Sequence, residues 1–226
     1  MKTKHLRLMQ RAYVILFFCF MYLPIAYMIV FSFNQSKGYA LFTGFTLKWY
    51  TSLLHNSAIL SALRVSLEVA LISAVIATVL GTAASLGIAS MSRKSRLVVT
   101  NITYIPVVNP EIITGISLML LFVRFTALGT STVLIAHITF DIPYVILNVL
   151  PKLSNTSSHT YEAARDLGAT PLYAFFKIVW PDIKPGVFSG FLMAVTMSLD
   201  DFSITYFTKG AGVNTLSTMI YTQLRK

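Results

Sequence analysis

Near the carboxyl-terminal end of the chain, Asp200 and Asp201 stand side by side in "SGFLMAVTMSLDDFSITYF", a stretch otherwise made of apolar and small residues. An acid near the centre of a bilayer costs roughly 2.5–3.5 kcal/mol on insertion scales, so it calls for a partner or a task. Five acids fall within or beside apolar stretches: Glu68, Glu111, Asp141, Asp200 and Asp201. Glu68 has a structural account, because Arg64 lies one helical turn earlier and can pair with it. Glu111 follows prolines at 106 and 110, which remove backbone donors, break a helix and leave carbonyls aimed at a cavity. Asp141, two residues before Pro143, is a weaker instance of the same pattern. Neighbouring helix positions point about 100° apart, so one of Asp200 and Asp201 could face a pathway and the other a neighbouring helix. A group of acids without nearby bases attracts a polycation, and aromatic faces such as Trp49 or Tyr206 add cation–π attraction. The candidate pathway set is therefore Trp49, Glu111, Asp141, Ser198, Asp200 and Asp201. The structural alternative is permanent pairing with Arg124, Lys209 or a base of a neighbouring subunit. His137 and Asp141 are four apart, as metal ligands sometimes are; with no third ligand evident, the spacing reads as packing and a local hydrogen bond.

The elements that must position these groups are membrane-length helices. Of 226 residues, 55% are hydrophobic and 12% charged, against about 25% charged in soluble domains. The net charge of +10 fits basic loops meeting anionic lipid better than nucleic acid. Cys19 is the single cysteine, which leaves no disulfide framework and suggests a small core residue. Spans are expected over 12–36, 63–91, 97–123, 131–150 and 185–207. The basic segment before the first is followed by an apolar run too long for a cleaved signal. Residues 33–60 read as an aromatic-rich loop, with Trp49 and Tyr50 at headgroup level. At about 1.5 Å per residue from Pro185, the aspartate pair sits roughly 22–24 Å along the fifth span, in its outer half. Eleven Lys and Arg fall on the side of the amino terminus and seven on the other, which favours a cytoplasmic amino terminus. The residues after Phe207 are too few and too polar to cross back, so the chain is expected to stop outside after five spans. Gly81, Ser85 and Ala89, at four-residue steps, form a face for close helix packing.

The segment between the fourth and fifth spans, "YEAARDLGATPLYAFFKIVWPDIKPGVFSG" over 161–190, is more apolar than a plain loop. Gly168 can end a first short helix in a left-handed turn, Pro171 can open a second, and Pro181 can end it. Leu167, Leu172, Phe175, Phe176 and Ile178 would then form a knuckle able to seat in another protein's groove, or lie on lipid. Glu162-Ala163-Ala164, Gly168, Ile178 and Trp180-Pro181 resemble the EAA loop of ABC-importer permeases. That pattern has Glu-Ala-Ala, three residues, Gly, nine residues, Ile, one residue and Leu-Pro; Trp180 stands for the leucine. "GFTLKWY", "NPEIITGISLML", "AHITFDIPYV" and "SLDDFSITYF" extend the resemblance to the spermidine/putrescine import permeases, the second of their two permease subunits.

The resemblance implies an all-α membrane protein with the type I ABC-importer permease fold, five spans here where the family has six, as a single permease domain over 1–226. It implies that 151–184 is a coupling segment docking into a cytoplasmic ATPase through Glu162, Ala163, Ala164, Asp166, Gly168, Ile178 and Pro181. It implies partners as well: a second permease subunit, two ATP-binding subunits and an extracytoplasmic substrate-binding protein, in the bacterial inner membrane. No GxxxxGK[ST] pattern occurs, so ATP and Mg are expected on the partner ATPase and no cofactor on this chain, which is expected to be no enzyme. HExxH and GxSxG are likewise absent, against a membrane protease. The expected cargo is spermidine or putrescine, moved by alternating access. An aminophosphonate or metal-cation permease, or a truncated scaffold that does not transport, are the alternatives.

Overall fold

Long runs of apolar residues become helices because a membrane leaves the backbone no other partner for its polar groups. The computed structural model describes residues 2–156 and 158–225, and nearly all of its regular structure is helical. Among the described residues, four helices are long and apolar enough to cross a membrane: Met9–Phe31, Ser57–Ser90, Thr130–Asn155 and Pro171–Asp200. A fifth crossing is possible for Arg93–Val108 and Glu111–Val123 together, although they meet at 101°. The chain divides into two compact units at Leu60.

The first unit contains helix α1 (Lys2–Phe31) and the short helix α2 (Lys48–Leu54). The span in α1 is apolar all round, which marks no single buried face. Cys19 is accordingly exposed rather than a core residue. The expected loop over 33–60 is ordered around Asn34, which is fully buried. Its Nδ2 donates to the carbonyls of Gly38 and Leu41 at 3.0 and 2.9 Å, and its Oδ1 accepts from Thr43 N at 2.8 Å. Trp49 Nε1 donates to the Asn34 carbonyl at 2.7 Å. Lys37 and Lys48 each place an ammonium 5.9 Å from the Trp49 ring centre, so this indole already faces cations of its own chain.

In the second unit, α3 (Ser57–Ser90), α6 (Thr130–Asn155) and α9 (Trp180–Asp200) enclose Ala74, Ala77, Val145, Val149 and Ala194. Small residues set the spacing. A Cβ on Gly81 would stand 2.7 Å from Val145 Cβ, one on Gly186 2.8 Å from the Asn148 carbonyl, and one on Gly190 3.1 Å from Val145 Cα. The face expected at Gly81, Ser85 and Ala89 thus packs α3 on α6. Gly186, Gly190 and Ala194 repeat the device on α9, at a spacing that marks close helix approach. Gly81→Val is expected to destabilise the bundle by about 1–3 kcal/mol through overpacking. Thermal unfolding in detergent checks this, with Gly87→Val as control, since a Cβ at Gly87 meets nothing within 4 Å.

Several boundaries differ from the sequence expectation, beginning with α2 and the first turn of α3, which lie inside the loop expected over 33–60. Within 97–123, α4 (Arg93–Val108) ends and α5 (Glu111–Val123) begins across Asn109-Pro110, while Pro106 stays inside α4. Only the second proline breaks the chain. Pro143 and Pro151 also remain inside an unbroken α6. The fifth span runs from Pro171 to Asp200 rather than over 185–207. Pro181 does not end a helix: α8 (Pro171–Ala174) passes through a π turn (Phe175–Val179) into α9. Trp180 N donates to the Phe175 carbonyl, five residues back. This one-residue slip accommodates a ring that would otherwise oppose the carbonyl four residues before it.

Candidate functional site

The polar residues of the spans converge where two helices are interrupted. Helix α9 stops at Asp200, Asp201 turns the chain into extended backbone (φ −61°, ψ 125°), and α10 (Ser203–Thr208) restarts it. The Asp201 carboxylate accepts from Ile204 N at 3.0 Å through Oδ1 and from Thr205 N and Oγ1 at 2.8 Å each through Oδ2. It therefore satisfies the first turn of α10, where orphan donors and the helix dipole both favour a negative charge. Asp200, one residue earlier, is exposed. The chain thus sorts its adjacent acids as their angular separation requires, one inward and one outward.

His137 on α6 reaches both sides of this break. Its Nδ1 lies 2.6 Å from Ser198 Oγ in the last turns of α9, and its Nε2 lies 2.8 Å from Thr205 Oγ1 on α10. Asp201 Oδ2 is 3.4 Å from the same Nε2. On the other side of Ser198, Ser73 Oγ of α3 stands 3.3 Å from Ser198 Oγ and 3.1 Å from Asp141 Oδ2. Asp141 is fully buried, and its Oδ1 has no hydrogen-bond partner among the described residues. The expected local bond between His137 and Asp141 is thus replaced by bonds across helices. Sequence reading did not single out Ser73, His137 and Thr205 as one group; the available signal was a hydroxyl or imidazole in each of three apolar segments.

Glu111 is exposed at the first position of α5, just after the Pro110 break. It lies within electrostatic reach of Asp200 and Asp201. Helix α5 rests against α10 through Gly115, where a Cβ would stand 3.1 Å from the Ser203 carbonyl and 3.2 Å from Ile204 Cα. The two interrupted segments are thereby held together, with Glu111 and Asp200 turned outward. Of the candidate pathway residues in this unit, those two are open, while Asp141, Ser198 and Asp201 form a buried polar frame. Glu68 pairs with Arg64 at 2.7 Å, as its spacing suggests.

The segment between α6 and α9 forms a second exposed feature. Helix α7 (Ser158–Asp166) carries Glu162, Ala163, Ala164 and Asp166, and Gly168 follows it at φ +88°. Ala169 N donates to the Ala164 carbonyl and Gly168 N to the Arg165 carbonyl, both at 3.0 Å. Such a left-handed termination suits glycine. Thr170 Oγ1 accepts from Tyr173 N and starts α8. Leu167, Leu172, Tyr173 and Phe176 are 90%, 71%, 62% and 60% exposed. Ile178 is half-buried and Pro181 exposed on the continuous helix.

Residues 77–225 match a family model described as a binding-protein-dependent transport system inner membrane component. The chain is 38% identical over 221 residues to the putrescine transport system permease protein PotI of Escherichia coli, covering 94% of this chain and 78% of that protein. It is 32% identical over 220 residues to the spermidine/putrescine transport system permease protein PotC of Escherichia coli, covering 97% and 83%. Identity is 30% over 246 residues to the PotC homolog of Mycoplasma genitalium, covering 98% and 82%.

Proposed function

The chain belongs to the family of binding-protein-dependent transport system inner membrane components, and from that premise we propose that its cargo is a polyamine, putrescine or spermidine. As a member it is a multi-pass inner-membrane permease subunit of an ABC importer, working with an ATPase and a binding protein, and is not itself an ATPase. The observation that carries the cargo reading is similarity along nearly the whole chain to permeases named for putrescine and for spermidine/putrescine. The placement of Glu111 and Asp200 supports it. Two outward carboxylates at neighbouring helix breaks suit a chain of ammonium groups, and a purely anionic cargo would be repelled.

In this reading the importer joins the chain to a second permease, two ATP-binding subunits that carry ATP and Mg, and an extracytoplasmic binding protein. The amino terminus and residues 151–184 lie in the cytoplasm. Glu162, Ala163, Ala164, Asp166 and Gly168 shape the docking knuckle, and Ile178 and Pro181 join it to the span. The exposed Leu167, Leu172, Tyr173 and Phe176 supply apolar area for the ATPase groove. Because the π turn makes α8 and α9 one continuous rod, a push on the knuckle is delivered to the end of α9, where Asp200 stands. Closure of the ATPases would thus reorient the span bearing an outward acid, opening the pathway to alternate sides. Trp49, in the first unit, presents its aromatic face to Lys37 and Lys48.

Uptake of radiolabelled putrescine and spermidine by cells lacking their own importer, complemented with this chain and its partner genes, tests the cargo. Saturable uptake that unlabelled polyamine suppresses and an aminophosphonate or divalent metal leaves unchanged is the expected result. Suppression by either of those instead would reassign the cargo.

A further inference from the structure

The polar frame behind Asp200 has a direction, fixed by counting protons. Asp201 accepts only, and Thr205 Oγ1 donates its single proton to Asp201 Oδ2. The hydroxyl therefore receives at its other contact, so His137 Nε2, 2.8 Å away, is the donor. With the ring neutral, Nδ1 then accepts, and Ser198 Oγ at 2.6 Å donates to it. Ser73 Oγ, 3.3 Å from Ser198 Oγ, has a single proton that Asp141 Oδ2 at 3.1 Å and the Ala70 carbonyl at 3.2 Å also compete for, so the directed chain begins at Ser198. A one-way chain runs Ser198, His137, Thr205, Asp201, linking α9, α6 and α10. Within it His137 alone touches both sides of the α9–α10 break: Ser198 lies two residues before Asp200 and Thr205 five after it.

We propose that His137 is the positioning residue of the break: by bonding Ser198 and Thr205 at once it holds α10 at its angle to the end of α9, which keeps Asp201 turned onto α10 and the exposed Asp200 uncovered. No other side chain offers donor and acceptor in opposite directions across this gap among the described residues. Ser198, Thr205 and His137 are all buried, away from bulk water that would replace the missing bonds at a surface. Without the imidazole, both hydroxyls lose a partner inside a low-dielectric bundle, where an unmade bond is most costly. Only the bonds of Asp201 to Ile204 and Thr205 then oppose continuation of α9 through residue 201, which would swing α10 from its present place beside Asp200. The pathway role of Asp200 rests on the function proposed above; the geometry of the break does not.

The test therefore reads geometry and not cargo. In the full complex in membranes, with Cys19→Ser, the variant D200C is labelled with a positively charged thiol reagent, without polyamine or ATP. His137→Leu is expected to change the labelling rate about fivefold or more, as two lost hydrogen bonds would allow. His137→Gln, whose amide can take the Nε2 place and donate to Thr205, should stay within about twofold of the parent. His137→Asn reaches only the Nδ1 place and should resemble His137→Leu. Equal labelling in the leucine variant and the parent overturns the proposal, as does rescue by Asn equal to rescue by Gln. If His137→Leu does not accumulate, the Gln and Asn variants decide between them. A chain that labels as expected yet imports no polyamine would refute the cargo reading alone.

Discussion

Replacing Gly168 by valine is expected to abolish ATP-driven uptake while leaving the chain inserted and its spans intact. Gly168 holds φ +88°, a region that costs an L-residue roughly 1–2 kcal/mol and a β-branched one more. A Cβ there would meet nothing within 4 Å, so crowding plays no part and the penalty is one of backbone conformation. That separation gives a graded series. Asn, which enters the left-handed region most readily, should retain most uptake, Ala less, and Val least. The cause is local: the turn that directs Ala169 N to the Ala164 carbonyl also sets the angle between α7 and α8. A valine that cannot hold the turn would splay Leu167 from Leu172 and spoil the knuckle for its ATPase. Co-purification of the ATP-binding subunit and uptake should fall together in the order Asn, Ala, Val. Full co-purification of the valine variant would show that the knuckle does not depend on this turn.

Gly168 was legible in the sequence because its signal is chemical and local, and the Arg64–Glu68 pair was legible for the same reason. Most of the spans were legible too, since long uninterrupted apolar runs in a chain this poor in charge match the thickness of a bilayer. The interruptions were harder. A proline announces a missing donor but not how the helix will respond, and this chain shows three responses. Pro110 stands at a 101° break, Pro143 lies inside an intact helix, and Pro181 follows a π turn that absorbs it. Neighbouring helices decide between these outcomes, and they lie far away in the sequence. The stop at Asp200 has the same character. No residue of "SLDDFS" is a strong breaker; what fixes the break is a histidine 63 residues upstream together with an acid that caps the following helix. Asn34 teaches the same lesson on a smaller scale. One polar residue at the end of a span organises a loop that, by composition alone, has no visible centre.

The adjacent aspartates should separate cleanly under the mildest substitution available. Asp200→Asn is expected to lower polyamine uptake about tenfold or more without reducing the amount of complex. Among the described residues Asp200 has no hydrogen bond or ion pair with the rest of the chain, so its loss leaves the fold as it is. What disappears is a charge-assisted contact with an ammonium group, worth about 1.5–3 kcal/mol, and each 1.4 kcal/mol is a factor of about ten. Asp201→Asn should do the reverse. Both of its oxygens accept backbone N–H groups, Ile204 through Oδ1 and Thr205 through Oδ2. Either orientation of an amide therefore sets an NH2 against a donor, in a buried site. The cost is about 1–3 kcal/mol for the unmet group, with the loss of charge at the start of α10 adding to it. The expected result is a lower unfolding temperature in detergent and less chain in the membrane, with uptake falling in proportion to the complex that remains. Uptake per assembled complex is the deciding quantity, measured with labelled polyamine and an immunoblot of the same membranes. Wild-type uptake in Asp200→Asn would remove that carboxylate from the pathway. A fall in uptake per complex for Asp201→Asn, with its unfolding temperature unchanged, would move the inner acid from the frame to the cargo.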